Sequence, residues 1–347
     1  MIQSASSSAF DLTGATRGIG NAIVQGLLRR RSRILGAVRK PNGLSATLVK
    51  VSPKGLANLA VKALVEELQL TPKPALLDGR GPGAQTDLSL SLMTRSAHRL
   101  ASFFELMALT SLEQIPTQTL REELGSIGRW AEDSMLECTG QVNTHRGAIW
   151  SLGLLVSAAA MGAASPQATV ETARQLACLP DSNAPKPQSQ SLPADRPQKI
   201  AGARGEAQSG FPSVIAAGLP RLHLSRQVDE SETLARLNAS IAIMTRLDDT
   251  GLLRRGGLAA LKTAQDGAAS VLEAGGVATP EGWRLLQRLD RDLITLKGAP
   301  RGSAAMLSAT IFLDSISRNQ KSKYKGNSTG AKSKKSRGLR GRTIFII

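Results

Sequence analysis

The chain is 347 residues long, enough for one large core or two modest ones, since a single core stops growing at roughly 250 to 300 residues. Its two cysteines, Cys138 and Cys178, stand far apart without CxxC spacing, and aromatic residues make up 3%; this argues against a disulfide framework, a zinc site or a stacking platform for single-stranded nucleic acid, and for a reducing cytoplasm. The formal net charge of +17 admits polyanionic partners, but ten Lys or Arg and no acid fall between Arg318 and Ile347, so the rest carries only the modest excess of an enzyme that handles polyphosphates.

From the N-terminus, TGATRGIG at Thr13 to Gly20 is followed by a helix-forming stretch from about Asn21 to Arg30 and a strand-forming one over Arg33 to Val38. This half of a βαβ unit resembles the cofactor loop of short-chain dehydrogenases, where glycines permit a tight turn and a pyrophosphate meets a helix N-terminus. The preceding SASSSAF is a poor buried strand, and no further βα units follow. The only tyrosine, Tyr324, has Ser328 rather than lysine four residues on. Residues 1–50 are therefore expected to be a short α/β-like remnant without a working nicotinamide site.

From Ser52 the apolar period becomes helical. Leu56, Leu59, Ala60, Ala63, Leu64 and Leu68 share one face, Pro53 suits a first turn, and Thr71-Pro72 stops the helix. Further helices are expected over Asp87 to Leu109, with Asp87 as N-cap, over Leu120 to Cys138, from Gly147, and over Thr169 to Cys178. The apolar run Ala148 to Ala164 is too short for a membrane span and reads as a closely packed core helix. Residues 179–199, polar and proline-rich, are expected to be a mobile loop. Helical periods resume at Glu230 to Leu247, Gly256 to Leu272, Glu281 to Leu296 and Ser303 to Ile316. With no alternating strand pattern between, residues 51–316 are expected to form an all-α, single multi-helix domain, and residues 317–347 a disordered basic tail with nonspecific nucleic-acid affinity.

The chemistry concentrates in four segments: LTPKPALLDGRGPGAQTDLSLSLM (70–93), TGQVNTHRGAIWSLGLL (139–155), GARGEAQSGFP (202–212) and RLDDTGLLRRGG (246–257). They supply cations (Lys73, Arg80, Arg146, Arg204, Arg254, Arg255) that suit phosphates and carboxylates (Asp78, Asp87, Glu206, Asp248, Asp249) that suit a magnesium ion shared with substrate phosphates. On the residues alone, the segments point to nucleotide or phosphate-ester chemistry.

In order and wording these segments, VNTHRGAIWSLGLL, ELQLTPKP and GARGEAQSGFP above all, resemble the triphosphoribosyl-dephospho-coenzyme A synthase family, particularly its malonate decarboxylase branch, from about Leu56 to Ile316. The resemblance implies that ATP loses adenine as its ribose C1 is attacked by the 2′-hydroxyl of 3′-dephospho-coenzyme A. It implies ATP and 3′-dephospho-coenzyme A as partners, a product passed to acyl-carrier-protein modification, and Mg2+. On that reading Asp248 and Asp249 hold the metal. Glu206 or Asp87 acts as base, with Asp249 also catalytic. Lys73, Arg80, His145, Arg146, Arg204 and Arg255 bind substrate phosphates, and Asn143 and Thr144 orient ribose hydroxyls.

The chain departs from the family pattern at three positions. Gln85 and Arg254 stand where the pattern has histidine, and Ala305 stands where it has aspartate. A homologue that binds nucleotide without turnover is the alternative these substitutions raise.

Overall fold

The computed structural model describes residues 51–163, 165–185, 202–228 and 231–332, with side chains to 319. All regular elements among these residues are helical, as the periodicity predicts. The fragment at 10–42, most of the loop expected at 179–199 and the chain beyond 332 lie outside the described residues.

Helix α1 (Pro53–Gln69) begins where the Ser52 Oγ accepts the Gly55 amide at 3.1 Å and Pro53 occupies the first turn. Thr117, Ser165, Ser231 and Thr279 repeat this device at α4 (Gln118–Thr139), α6 (Pro166–Cys178), α9 (Glu232–Met244) and α11 (Pro280–Thr295). In each, a hydroxyl three residues upstream satisfies an amide with no helical partner, typically about 1 kcal/mol per cap.

Several expected boundaries move, among them the start of the helix expected from Gly256, which lies at Thr250. The single helix over Asp87 to Leu109 is two, α2 (Leu90–Arg99) and α3 (Ala101–Ser111), broken at fully buried Leu100. Ser89, not exposed Asp87, caps α2, because its hydroxyl sits three residues ahead of the Leu92 amide. GARGEAQSGFP is not a loop throughout: it forms α7 (Gly202–Gln208), then a turn through buried Phe211, a π-helical turn at Val214–Gly218 and α8 (Leu219–Gln227). The final helix α12 (Arg301–Lys332) runs past the boundary expected at 316. Hydrophilic composition there argues against burial but not against a helix, since extending an anchored helix adds one hydrogen bond per residue.

Helix α12 is the axis of the bundle. Its Met306, Leu307, Phe312 and Leu313 are buried, and it packs against α1, α5 (Arg146–Ala160), α9 and α10 (Thr250–Glu273). The apolar run that forms α5 is the closely packed core helix expected: Gly153 lets the Met107 sulfur of α3 lie 2.8 Å from where a Cβ would stand. Trp130, Trp150 and Trp283 pack against this core. Among the described residues no helix is long and apolar enough to cross a membrane.

Candidate functional site

The N-termini of α5, α7, α10 and α12 meet at one end of the bundle. A Cβ at Gly147, in the first turn of α5, would lie 3.9 Å from that of Ala305 on α12 and 4.0 Å from that of Ala203 on α7. Gly202 faces Thr250 at the start of α10, with 2.8 Å between its Cβ position and Thr250 Cγ2. Converging N-termini add partial positive charge at one place, which suits phosphate.

Asp249 ties two of these ends together. Its Oδ1 accepts the Gly251 and Leu252 amides of α10 at 2.8 and 3.4 Å, and its Oδ2 accepts the Ser303 amide and hydroxyl of α12 at 2.8 and 3.3 Å. Burial raises its pKa, opposed by these amides. Both oxygens are thus committed to capping, a different task from the metal ligation or catalysis expected of it. A Cβ on Gly302 would lie 2.9 Å from the Asp249 carboxyl carbon, so glycine there lets α12 begin against the cap.

Arg301, which the sequence reading missed, is the central cation. Its guanidinium donates to the carbonyls of Asn143 and Thr144, just ahead of α5. Burial lowers its pKa first, then Arg255; Asp87 and Asp249 oppose, and Arg254 adds to the lowering. Asp87 and the Arg254–Arg255 pair, distant in sequence, therefore act on one guanidinium, and all three are exposed around it. A lone arginine at a helix start carries no spacing signal that could have singled it out.

His145 lies beneath. Its Nδ1 is 3.0 Å from the Ser96 hydroxyl, which is 2.7 Å from that of Thr144. Burial, with a contribution from Arg301, lowers the imidazole pKa to about 3, so the ring is neutral. Its Nε2 is buried and has no partner among the described residues. Thr144 is turned into this buried triad rather than toward a ribose, and the Asn143 Oδ1 accepts the Arg146 amide at 3.2 Å. Arg146 is exposed and paired with Glu132 at 2.9 Å. Ser96 gave no signal because a serine within a helix is commonplace.

Glu206, expected as a base, and Asp248, expected as a metal ligand, lie close enough for the charge of one to act on the other. One Glu206 oxygen accepts the Ser213 hydroxyl at 2.8 Å and its amide at 3.3 Å. Burial raises the Glu206 pKa, and the nearby charge of Asp248 adds to the rise. Asp248 is exposed, with one oxygen 3.4 Å from the Gln265 amide nitrogen. Arg204, on the same short helix as Glu206, is exposed.

The 70–85 loop is organised internally. Buried Lys73 donates to the Glu67 carboxylate at 2.7 Å and the Glu67 carbonyl at 2.8 Å, so its ammonium is engaged within the fold rather than open to phosphate. Arg80 pairs with Asp78 at 2.8 Å and with Asp290 of α11 at 2.7 Å. Burial would raise Asp78, but Arg80 and two backbone amides outweigh it and lower its pKa. Gly83 is required by the turn: its φ is +64°, and a Cβ would stand 2.5 Å from the Ala75 oxygen. Gln85 follows, buried, with an unpartnered Nε2. Among the described residues no group of three or more His, Cys, Asp or Glu is arranged to hold a metal ion.

Residues 53–324 match the family model described as ATP:dephospho-CoA triphosphoribosyl transferase. The chain is 48% identical over 263 residues to the 2-(5''-triphosphoribosyl)-3'-dephosphocoenzyme-A synthase of Klebsiella pneumoniae, covering 75% of this chain and 94% of that protein. It is 50% identical over 268 residues to a probable enzyme of that name from Pseudomonas fluorescens strain Pf-5, covering 75% and 91%. To another from Stutzerimonas stutzeri it is 46% identical over 279 residues, covering 79% and 96%. No solved structure is matched.

Proposed function

The chain belongs to the ATP:dephospho-CoA triphosphoribosyl transferase family, and from that premise we propose that it moves the 5-triphosphoribosyl group of ATP onto the ribose 2′-hydroxyl of 3′-dephospho-CoA and releases adenine. The observation that carries this reading is the meeting of four helix N-termini, with Arg301 acted on by Asp87 and Glu206 acted on by Asp248. Positive ends and arginines suit a triphosphate that stays intact, and carboxylates suit a sugar carbon that gains positive charge as its base departs.

In the reaction the bond from ribose C1 to adenine breaks and a bond from C1 to the acceptor oxygen forms. The hydroxyl proton is taken up at the carboxylate of Glu206 and is returned, net, to the departing adenine. Glu206 suits this role because burial and Asp248 raise its basicity. The arginines at 254, 255 and 301 face phosphate oxygens, and Asp87 balances Arg301.

Magnesium, which would neutralise triphosphate charge, fits Asp248, whose carboxylate is exposed; it does not fit Asp249, whose oxygens are both occupied. We place the product in prosthetic-group synthesis for malonate decarboxylase, on the likeness of VNTHRGAIWSLGLL and GARGEAQSGFP to that branch, with an acyl-carrier protein downstream.

Purified protein incubated with ATP, magnesium and 3′-dephospho-CoA should release adenine, seen by chromatography, only when both nucleotides are present. Ala305 favours a second reading. It stands within 3.9 Å of the Gly147 Cβ position, inside the site, where the family pattern has a carboxylate. If folded protein binds ATP without releasing adenine, and Ala305→Asp restores release, the chain is a binder that has lost turnover.

A further inference from the structure

A second cationic cluster lies on the α4 side of the site. Arg121 and Arg129 of α4 both reach one oxygen of Asp181, at 3.3 and 2.9 Å. The other Asp181 oxygen accepts the Asn183 amide at 3.1 Å. Glycine at 125 makes the approach possible, since a Cβ there would collide with the Asp181 carboxylate. Arg121 is 4% exposed, and its guanidinium carbon lies 5.0 Å from the ring centre of Trp150, one turn into α5 from Arg146.

Two buried donors in this cluster, Nε of Arg121 and Nε1 of Trp150, have no partner among the described residues. Neither atom can accept a hydrogen bond, so what completes the cluster must offer acceptors. Three cations act here, because Arg204 of α7 lies close enough to affect Arg121, while Asp181 supplies one negative charge. An oxyanion supplies both missing quantities, acceptor oxygens and negative charge. An internal ion-pair network would need neither a third arginine nor two unpaired donors.

We propose that Arg121, Arg129 and Arg204, beside Trp150, form a second anion subsite that binds the phosphate groups of one of the two nucleotide substrates. The inference rests on the function proposed above only for the identity of its ligand. Arg204 belongs to the same short helix as Glu206, so the subsite borders the reacting centre. A transfer between two phosphorylated nucleotides needs an anchor for each, and the converging helix ends provide the other. ATP and 3′-dephospho-CoA share the chemistry required, a chain of esterified phosphates.

Trp150 reports on the subsite directly. In the full chain carrying Trp130→Phe and Trp283→Phe it is the only tryptophan, and its emission can be titrated with inorganic pyrophosphate, ATP and 3′-dephospho-CoA separately. We expect a saturable change with pyrophosphate and with one of the nucleotides. Arg129→Gln and Arg204→Gln, both accessible enough to leave the fold intact by circular dichroism, should weaken that response at least about tenfold, the loss of one charge-assisted contact. Whichever nucleotide responds is the occupant. No response to any ligand, or a response that both variants leave unchanged, overturns the proposal and makes the cluster an internal ion-pair network. An equal loss for both nucleotides also overturns it, because general surface attraction would act that way. A response to pyrophosphate alone, lost in the variants, keeps the subsite and sinks the assignment of the two substrates.

Discussion

Asp249 shows how a residue's surroundings decide its role. By composition it is half of an acidic pair suited to magnesium, yet four donors from two helices fill its oxygens. Asp249→Ala should therefore lose about 2 to 4 kcal/mol of stability, the sum of two helix caps, in urea denaturation. Asp248→Ala should leave the midpoint within about 0.5 kcal/mol, as exposed substitutions do, while lowering turnover. If the two variants behaved alike in stability, the capping role would be wrong. His145 makes a prediction about pH. Its folded pKa, about 3, lies below the unfolded value near 6.5, so between the two the unfolded chain holds a proton that the folded chain does not. Stability from this group is present above about pH 6.5 and falls as the pH drops toward 3. His145→Gln should flatten that acid limb in denaturation curves measured from pH 7 to 4. The turnover profile should show no step near 6.5 from this ring.

At the scale of elements, α10 is interrupted where the site needs it. Gly257 has φ 67° and ψ −164°, a backbone region open essentially only to glycine, just after the Arg254–Arg255 pair. Among the described residues nothing lies within 4 Å of where its Cβ would be, so the cost of a side chain there is conformational rather than steric. Gly257→Ala should destabilise by about 1 to 3 kcal/mol, measured by thermal melting, and should lower turnover by redirecting the arginines. Unchanged stability would show that the kink relaxes freely. The helices themselves were largely legible, because caps such as Ser52 and faces such as Leu56, Ala60 and Leu64 are local patterns. The split at Leu100 was not, since a buried leucine fits one long helix as well as two short ones. Nor was the helical state of GARGEAQ, whose glycines disfavour a helix that contacts with Thr250 and Ser213 stabilise.

On the scale of the whole molecule, the site exists only as an assembly of helix ends. Substrates bound there as proposed, ATP and 3′-dephospho-CoA, would touch α5, α7, α10 and α12 together, so binding should stabilise the bundle as one unit. At nucleotide concentrations about 100 times the dissociation constant, unfolding should cost roughly 2.7 kcal/mol more, read as a rise in melting temperature. Adenosine, which lacks the phosphates, should give no comparable shift; an equal shift would show that the helix ends do not read phosphate.

Periodicity, capping residues and unusual loop wording are properties of neighbours along the chain, so the all-helical class, the family and the segments of the candidate site were legible without the fold. Only the tertiary structure decided which residues are free to act. Asp248 is exposed and Glu206 half-buried, whereas Lys73 and Asp249 are engaged by the fold, and Arg301, Ser96 and the Arg121–Trp150 pair enter through contacts between distant segments. The physical reason is that a charged group's role depends on its burial and partners, and both are set by which helices pack together.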